Sequence, residues 1–362
     1  MEIMRTPTVA PETARTGGVA SRAISRVPGL ALAVGIAALA TVIGHFVPLV
    51  GGPVSGIVIG VALATMLKVG ARLRPGIQTA SRFVLQLSVV ILGSQLSLAQ
   101  IAKVGLESLP VMLGTLVVCL AAAWLIGRWL GITGDLRTLI GVGTGICGAS
   151  AIAAVTPVIG AVSIDVAYAI STIFLFNIAA VLVFPLLGHL LGLSQHAFGL
   201  FAGTAVNDMS SVVATATTYG AAATNFAVIV KLVRTLMIIP ITLVLAAWAG
   251  HRIASQAPGA AADVRVARDR RRVNVFRLVP WFLIGFVFVA AINSLGLIPA
   301  AAHPQLSAVS VFLITVALSA IGLSTDLAGF RRAGAKPLIM GACLWIIVSG
   351  TSLGLQFATG LH

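Results

Sequence analysis

Apolar runs of membrane-spanning length recur along the chain from residue 28 to residue 358, separated by short polar stretches. A helix needs about 17–25 apolar residues to cross a bilayer. Eleven stretches meet that need: 28–50, 53–68, 76–101, 107–127, 137–161, 165–191, 195–219, 223–249, 278–298, 304–326 and 336–358. The second is short, and the seventh is dilute in large apolar side chains. The pattern predicts an all-α polytopic membrane protein with about eleven transmembrane helices.

Basic residues test that layout, because Lys and Arg concentrate in cytoplasmic loops. With the N-terminus inside, the cytoplasmic segments take Arg5, Arg15, Arg22 and Arg26, then Lys68 to Arg82, Arg128 and Arg137, the cluster Arg252 to Arg277, and Arg331 to Lys336. The outer segments hold only Lys103, while Lys231 and Arg234 fall inside a span. Residues 1–27 read as a cytoplasmic N-terminal segment. The apolar run after them is too long for a signal-peptide core, and Gly51-Gly52-Pro53 is a poor cleavage site, so it reads as a retained helix. Residues 250–277 read as a basic cytoplasmic loop that sets topology, with anionic lipid headgroups as a sharper alternative partner.

Composition agrees. The chain is 59% hydrophobic and 9% charged, with a mean hydropathy of +1.08, against about 25% charged residues in soluble domains. The net charge of +14 therefore belongs to membrane topology and not to nucleic-acid binding. Cys119, Cys147 and Cys343 lie in apolar segments without metal-type spacing. No HExxH, phosphate loop or His/Cys cluster marks an enzyme or an ATP-driven pump.

The candidate chemistry lies where apolar segments are interrupted. The fifth carries Gly143-Thr144-Gly145-Ile146-Cys147-Gly148-Ala149-Ser150. Glycines weaken a helix by about 1 kcal/mol each, and a break at membrane depth survives only where protein or water satisfies the backbone. A half-helix starting near Ala149 would present unpaired N–H groups and a positive dipole end, with Thr144 and Ser150 adding hydroxyls. Close packing through small residues is the other reading. The seventh carries Asn207, Asp208, Ser210 and Ser211. A carboxylate at mid-span costs about 2.5–3.5 kcal/mol and needs a partner, a proton or a cation. Asn207 or Asp208 could instead cap a half-helix starting at Met209. On the eighth, Lys231 and Arg234 share one face: one is expected to neutralise Asp208, the other to meet an anion. Gln78, Arg82 and Gln86 form a stripe expected to face inward, Gly322 to Asp326 is a possible further break, and Asn177 and Asn293 read as interhelical glue.

Two internal echoes recur at constant offsets. Leu96-Ser97, Pro110 and Gly114 return as Leu323-Ser324, Pro337 and Gly341 on helices that would be inverted. Thr144, Ser150, Ala154 and Gly160 return as Thr204, Ser210, Ala214 and Gly220 on segments that run in the same direction if all eleven cross. An odd helix number permits one peripheral helix plus two inverted five-helix repeats.

Gly145-Ile-Cys-Gly-Ala-Ser-Ala-Ile-Ala-Ala154 with Pro157, Ala205-Val-Asn-Asp-Met-Ser-Ser-Val-Val213, Lys231-Leu-Val-Arg-Thr-Leu-Met-Ile-Ile-Pro240 and Pro280-Trp-Phe together resemble a family of bacterial inner-membrane proteins named for sulfate export. It is grouped with bile-acid-symporter-like carriers. The resemblance runs from about residue 30 to the C-terminus. It implies inverted repeats, discontinuous helices crossing near the midplane, and residues 28–358 as a single transmembrane transporter domain. Members often have His before the Asp; Asn207 stands here, so a proton role for that His does not carry over.

The combined reading is a secondary-active exporter of a small anion (sulfate, sulfite or an organosulfur anion), with H⁺ or Na⁺ as coupling ion and no other cofactor. Thr144, Gly145, Cys147, Gly148, Ser150, Asn207, Ser210, Ser211, Lys231 and Arg234 are its expected substrate-binding residues, and Asp208 its coupling residue. A passive anion channel lined by the same half-helix ends is the alternative. Expected partners are the anion and membrane lipid, with room for a homodimer. The expected location is the bacterial inner membrane, N-terminus cytoplasmic and C-terminus periplasmic.

Overall fold

A computed structural model describes residues 19–46, 51–66, 70–256, 280–324 and 334–361. Among these, regular structure is entirely helical. The helices are α1 (Val19–Phe46), α2 (Gly51–Met66), α3 (Arg74–Thr79), α4 (Leu85–Leu92), α5 (Leu98–Trp129), α6 (Gly134–Gly145), α7 (Ala149–Ile159), α8 (Ser163–Leu190), α9 (Gln195–Ala205), α10 (Met209–Tyr219), α11 (Ala221–Leu236), α12 (Ile238–Gln256), α13 (Trp281–Ser294), α14 (His303–Leu323) and α15 (Ala335–Thr359). A π turn, Ala80–Val84, joins α3 to α4. Seven stretches are long and apolar enough to span a bilayer, among them 74–95, and 221–248 formed by α11 and α12 together. The chain is a multi-pass membrane protein.

Several expectations shift. Helix α1 begins nine residues before the apolar run, with Pro28 inside it. Most of loop 250–277, and the end of the tenth segment including Asp326, lie outside the described residues. Gln78 and Arg82, expected to face inward, are exposed.

One bundle comprises α1, α2, α3–α4, α13 and α14, drawn together at glycines. Gly29 of α1 meets Gly76 of α3, Gly60 of α2 meets Gly322 of α14, and Gly93 lies against the Phe286 backbone of α13. No bulkier residue fits: a Cβ on Gly60 would sit 2.5 Å from the Ser319 carbonyl oxygen. Close backbone approach through small residues is how lipid-embedded helices gain packing energy.

The second bundle holds α5 to α12 and α15, and here the interrupted segments are not crossing helices. They are hairpins. Tyr219, at the end of α10, donates its hydroxyl to the Leu193 carbonyl just before α9 (2.5 Å) and stacks on Phe198 at 3.8 Å. The Gln195 carboxamide accepts from the amides of Ala222 (3.1 Å) and Ala223 at the start of α11. The chain thus leaves hairpin α9–α10 on the face where it entered.

Hairpin α6–α7 occupies the other half of the bundle. Its α7 arm packs along α12, the continuation of α11 beyond mid-depth, while α11 itself packs along α9. Helix α8 runs past both: Ile173 meets Gly143 of α6, and Gly188 meets Phe198 of α9. Arms of 11 and 12 residues reach only about 17 Å at 1.5 Å per residue, half a bilayer. Two hairpins inserted from opposite faces replace the discontinuous crossing helices expected at 137–161 and 195–219. The second echo consequently links segments of opposite direction, not the same one.

Substituting Gly60 by Ala should lower the thermal midpoint of the purified protein in detergent by the equivalent of about 1–3 kcal/mol, the usual cost of overpacking. Gly350→Ala, where a Cβ meets nothing within 4 Å, should leave it unchanged or slightly raised.

Candidate functional site

The hairpin tips meet at mid-depth. In the first, α6 ends at Gly145, and the chain reverses through Ile146 and Cys147 to Gly148, whose φ of +72° and ψ of −133° suit glycine alone. The Gly148 amide closes the turn on the Gly143 carbonyl at 2.9 Å. In the second, α9 ends at Ala205, and Val206 to Asp208 run extended into α10. A Cβ on Gly148 would lie 3.3 Å from Asp208 Cβ, so the tips touch backbone to backbone.

Each first arm ends with carbonyls that have no helical partner. Lys231 and Arg234 on α11 supply donors to both tips at once. Lys231 Nζ donates to the carbonyls of Ile146 (2.9 Å) and Val206 (2.8 Å). Arg234 Nε donates to Gly145 (2.7 Å), Nη2 to Thr144 (3.3 Å) and Nη1 to Thr204. Both side chains have no solvent exposure. Among the described residues neither forms an ion pair with Asp208. The expected division of labour, one base for Asp208 and one for an anion, gives way to a shared structural role: cations on two helix C-termini, where the dipole is negative.

The N-terminal ends of the second arms are treated differently. Asp208 caps α10, accepting from the Ser210 amide (3.0 Å) and the Ser210 hydroxyl. Asn177 of α8 steadies the same tip by accepting from the amides of Asn207 (3.1 Å) and Asp208 (3.3 Å). No side chain caps α7. Among the described residues, the amides of Ala149 and Ser150 and the Ser150 hydroxyl have no partner, and both residues are exposed. Asn207 is buried, yet its Oδ1 has no partner. Ser211 is buried beside it, and Asp208 is half-buried. Thr144 and Cys147 are buried and contribute backbone and packing.

An end of a helix is worth about half an elementary charge. With both bases charged, two cations face two C-termini, and one carboxylate faces one of two N-termini. The sum over the constellation is about one positive charge, and the uncapped N-terminus of α7 contributes about half an elementary charge to it. The arrangement suits a small anion held by backbone N–H and hydroxyl donors. Asn177 and the carbonyls of Thr144, Thr204 and Val206 complete the constellation. A lone Asn in an apolar helix signals buried hydrogen bonding, but carbonyl acceptors carry no sequence signature.

Residues 28–341 match the family model described as "Conserved hypothetical protein 698", and the chain belongs to that family. It is 40% identical over 345 residues to a "UPF0324 membrane protein" of Streptococcus mutans serotype c, covering 93% of this chain and 98% of the relative. It is 40% identical over 339 residues to a "UPF0324 membrane protein" of Fusobacterium nucleatum, covering 88% and 94%. A counterpart from Streptococcus agalactiae serotype V is 39% identical over 343 residues. These names support a membrane-protein family and carry no sulfate or bile-acid assignment. No solved structure matches the chain.

Lys231→Met should remove the donors from the Ile146 and Val206 carbonyls and destabilise the protein by about 1.5–3 kcal/mol, the range for hydrogen bonds from charged groups. The readout is thermal unfolding in detergent. Arg234→Lys should be destabilising too, because an ammonium lacks the planar fork that spans both hairpins. Ser150→Ala should change stability by less than about 0.5 kcal/mol.

Proposed function

We propose that this family member is a secondary-active transporter that exports a small anion of the sulfate, sulfite or organosulfur class, coupled to H⁺ or Na⁺. The observation that carries the reading is the uncapped N-terminus of α7, held at mid-depth against a second hairpin tip with its first backbone N–H groups unpartnered. The sulfate class rests on the motif resemblance alone, and the anionic character rests on the geometry as well.

Access supports a carrier over a passive channel. Helix α7 exposes Ala149, Ser150, Ala153, Pro157 and Gly160, a face of small residues running from the tip to the end of the arm. A lipid-facing surface here presents large apolar groups, as α8 does with Leu182, Val183 and Leu186. The equivalent arm α10 buries every residue from Ser210 to Ala216. A path open along one hairpin and closed along the other is what alternating access requires, whereas a pore would be open along both.

Coupling would act through Asp208. Its carboxylate holds α10 by the cap, and it sits within the tip whose Asn207 oxygen lacks a donor. A proton or Na⁺ taken up there would compete with the cap and loosen the second hairpin, linking ion occupancy to access. The echo of Thr144, Ser150, Ala154 and Gly160 in Thr204, Ser210, Ala214 and Gly220 supports an inverted repeat, since the same offset relates Gly148 to Asp208, the two residues in contact. On this reading the chain crosses the inner membrane nine times and inserts two hairpins, keeping the N-terminus cytoplasmic and the C-terminus periplasmic.

Proteoliposomes loaded with labelled sulfate or sulfite test the proposal. Under a proton or Na⁺ gradient the wild type should move the anion and show trans-stimulation. Asp208→Asn, which keeps a capping side chain and removes the charge, should lose gradient-driven movement at least roughly tenfold while exchange persists. Equal gradient-driven transport by both proteins would remove Asp208 from coupling, and conductance without trans-stimulation would favour a channel.

A further inference from the structure

A cavity lies in the first bundle, where α1 meets α3. Arg26, Pro75, Gln78, Thr79, Arg82 and Phe83 line a half-open cavity of about 440 Å³. The Gly29–Gly76 contact builds it. A Cβ on Gly76 would collide with the Arg26 carbonyl, so only the paired glycines let α1 and α3 bring Arg26 and Arg82 to one cavity. The π turn Ala80–Val84 carries Arg82 and Phe83, and such turns cluster at functional sites.

The chemistry of the lining is one-sided. Both guanidinium groups and the Gln78 carboxamide are exposed, and among the described residues none has an acceptor or acidic partner. The Thr79 hydroxyl donates to Pro75 (2.9 Å), which leaves its oxygen free to accept. Two unpaired guanidinium forks on one cavity suit a tetrahedral oxyanion, which Arg binds in bidentate fashion.

The surroundings fix the depth. Phe83 stacks on Trp281 at 5.8 Å, and Trp281 Nε1 donates to Gln86 at 2.8 Å. Both rings are about half exposed, the disposition of aromatic side chains at a membrane–water interface. Arg26 immediately precedes the apolar stretch of α1, beginning with exposed Val27. The cavity therefore sits at headgroup level, with an apolar wall running into the bilayer beside it.

We infer that the cavity between α1 and α3 is a binding site for the phosphate of an anionic phospholipid headgroup, held by Arg26 and Arg82 with Gln78 and Thr79. The site is independent of the proposed transport reaction and stands or falls without it. Its effect would be to anchor the glycine-packed bundle at one membrane face.

Native mass spectrometry of the full chain in detergent tests this, with titrations of phosphatidylglycerol, phosphatidylethanolamine and inorganic phosphate. The wild type should bind phosphatidylglycerol in preference to the zwitterionic lipid. R26A/R82A should weaken that binding roughly 10- to 30-fold, as loss of about 1 kcal/mol per basic residue predicts. R128A/K336A, at exposed positions on α5 and α15 of the second bundle, removes the same charge elsewhere and should leave the binding intact. Equal loss in both double variants would reduce the effect to bulk charge and overturn the site, as would unchanged binding in R26A/R82A. Displacement of the lipid by millimolar inorganic phosphate would overturn the lipid assignment.

Discussion

A helix that stops halfway through a bilayer leaves carbonyl groups with neither a helical partner nor water, each costing several kcal/mol. This chain does so twice, at Gly145 and at Ala205. Lys231 and Arg234 satisfy both ends from one helix, reaching five carbonyls on two hairpins. Burying two cations is itself unfavourable unless each is surrounded by acceptors. Unsatisfied carbonyls and desolvated cations solve each other's problem, and the rest of the second bundle is arranged around that exchange.

The consequence for chemistry is a division between the two kinds of helix end. The C-terminal ends are closed by α11, so the bases that look most like anion ligands in the sequence are buried behind the tips. The N-terminal ends face each other across the Gly148–Asp208 contact, one capped by a carboxylate and one open. On the proposed reading an anion would meet backbone N–H groups and hydroxyls, with the cations acting through the dipoles they anchor. Such donors are directional and carry no ammonium to trap the ion, which suits release as well as capture. Helix α8 ties this to packing, since Asn177 fixes the second tip from mid-span and the flanking turns of α8 serve one hairpin each.

Much of this was legible in residue order. The membrane class follows from composition, and both tips were marked by Gly145-Ile-Cys-Gly148 and Asn207-Asp208. The reversal of direction was not. A stretch such as 137–161 has the length of one crossing, and nothing in its hydropathy separates one long helix from two short arms. Charge, the usual arbiter, is silent because no Lys or Arg lies between Arg137 and Lys231. Replacing two crossings by two hairpins of opposite insertion moves only uncharged loops to the other side, so the asymmetry of basic residues fits both layouts equally. The role of Lys231 and Arg234 was hidden for a related reason: their partners are main-chain carbonyls, and sequence comparison with the one nearby acid pointed to an ion pair.

The hairpins are tested most directly by the sidedness of their flanking loops. Single cysteines at Thr133, Ser163, Leu191 and Ala221, all exposed, would be placed in a background without Cys119, Cys147 and Cys343 and labelled in intact cells with a membrane-impermeant maleimide. Two inserted hairpins predict that Thr133→Cys and Ser163→Cys label alike, that Leu191→Cys and Ala221→Cys label alike, and that the pairs differ. Opposite labelling of Thr133→Cys and Ser163→Cys would mean that α6–α7 crosses the membrane, and would contradict the account.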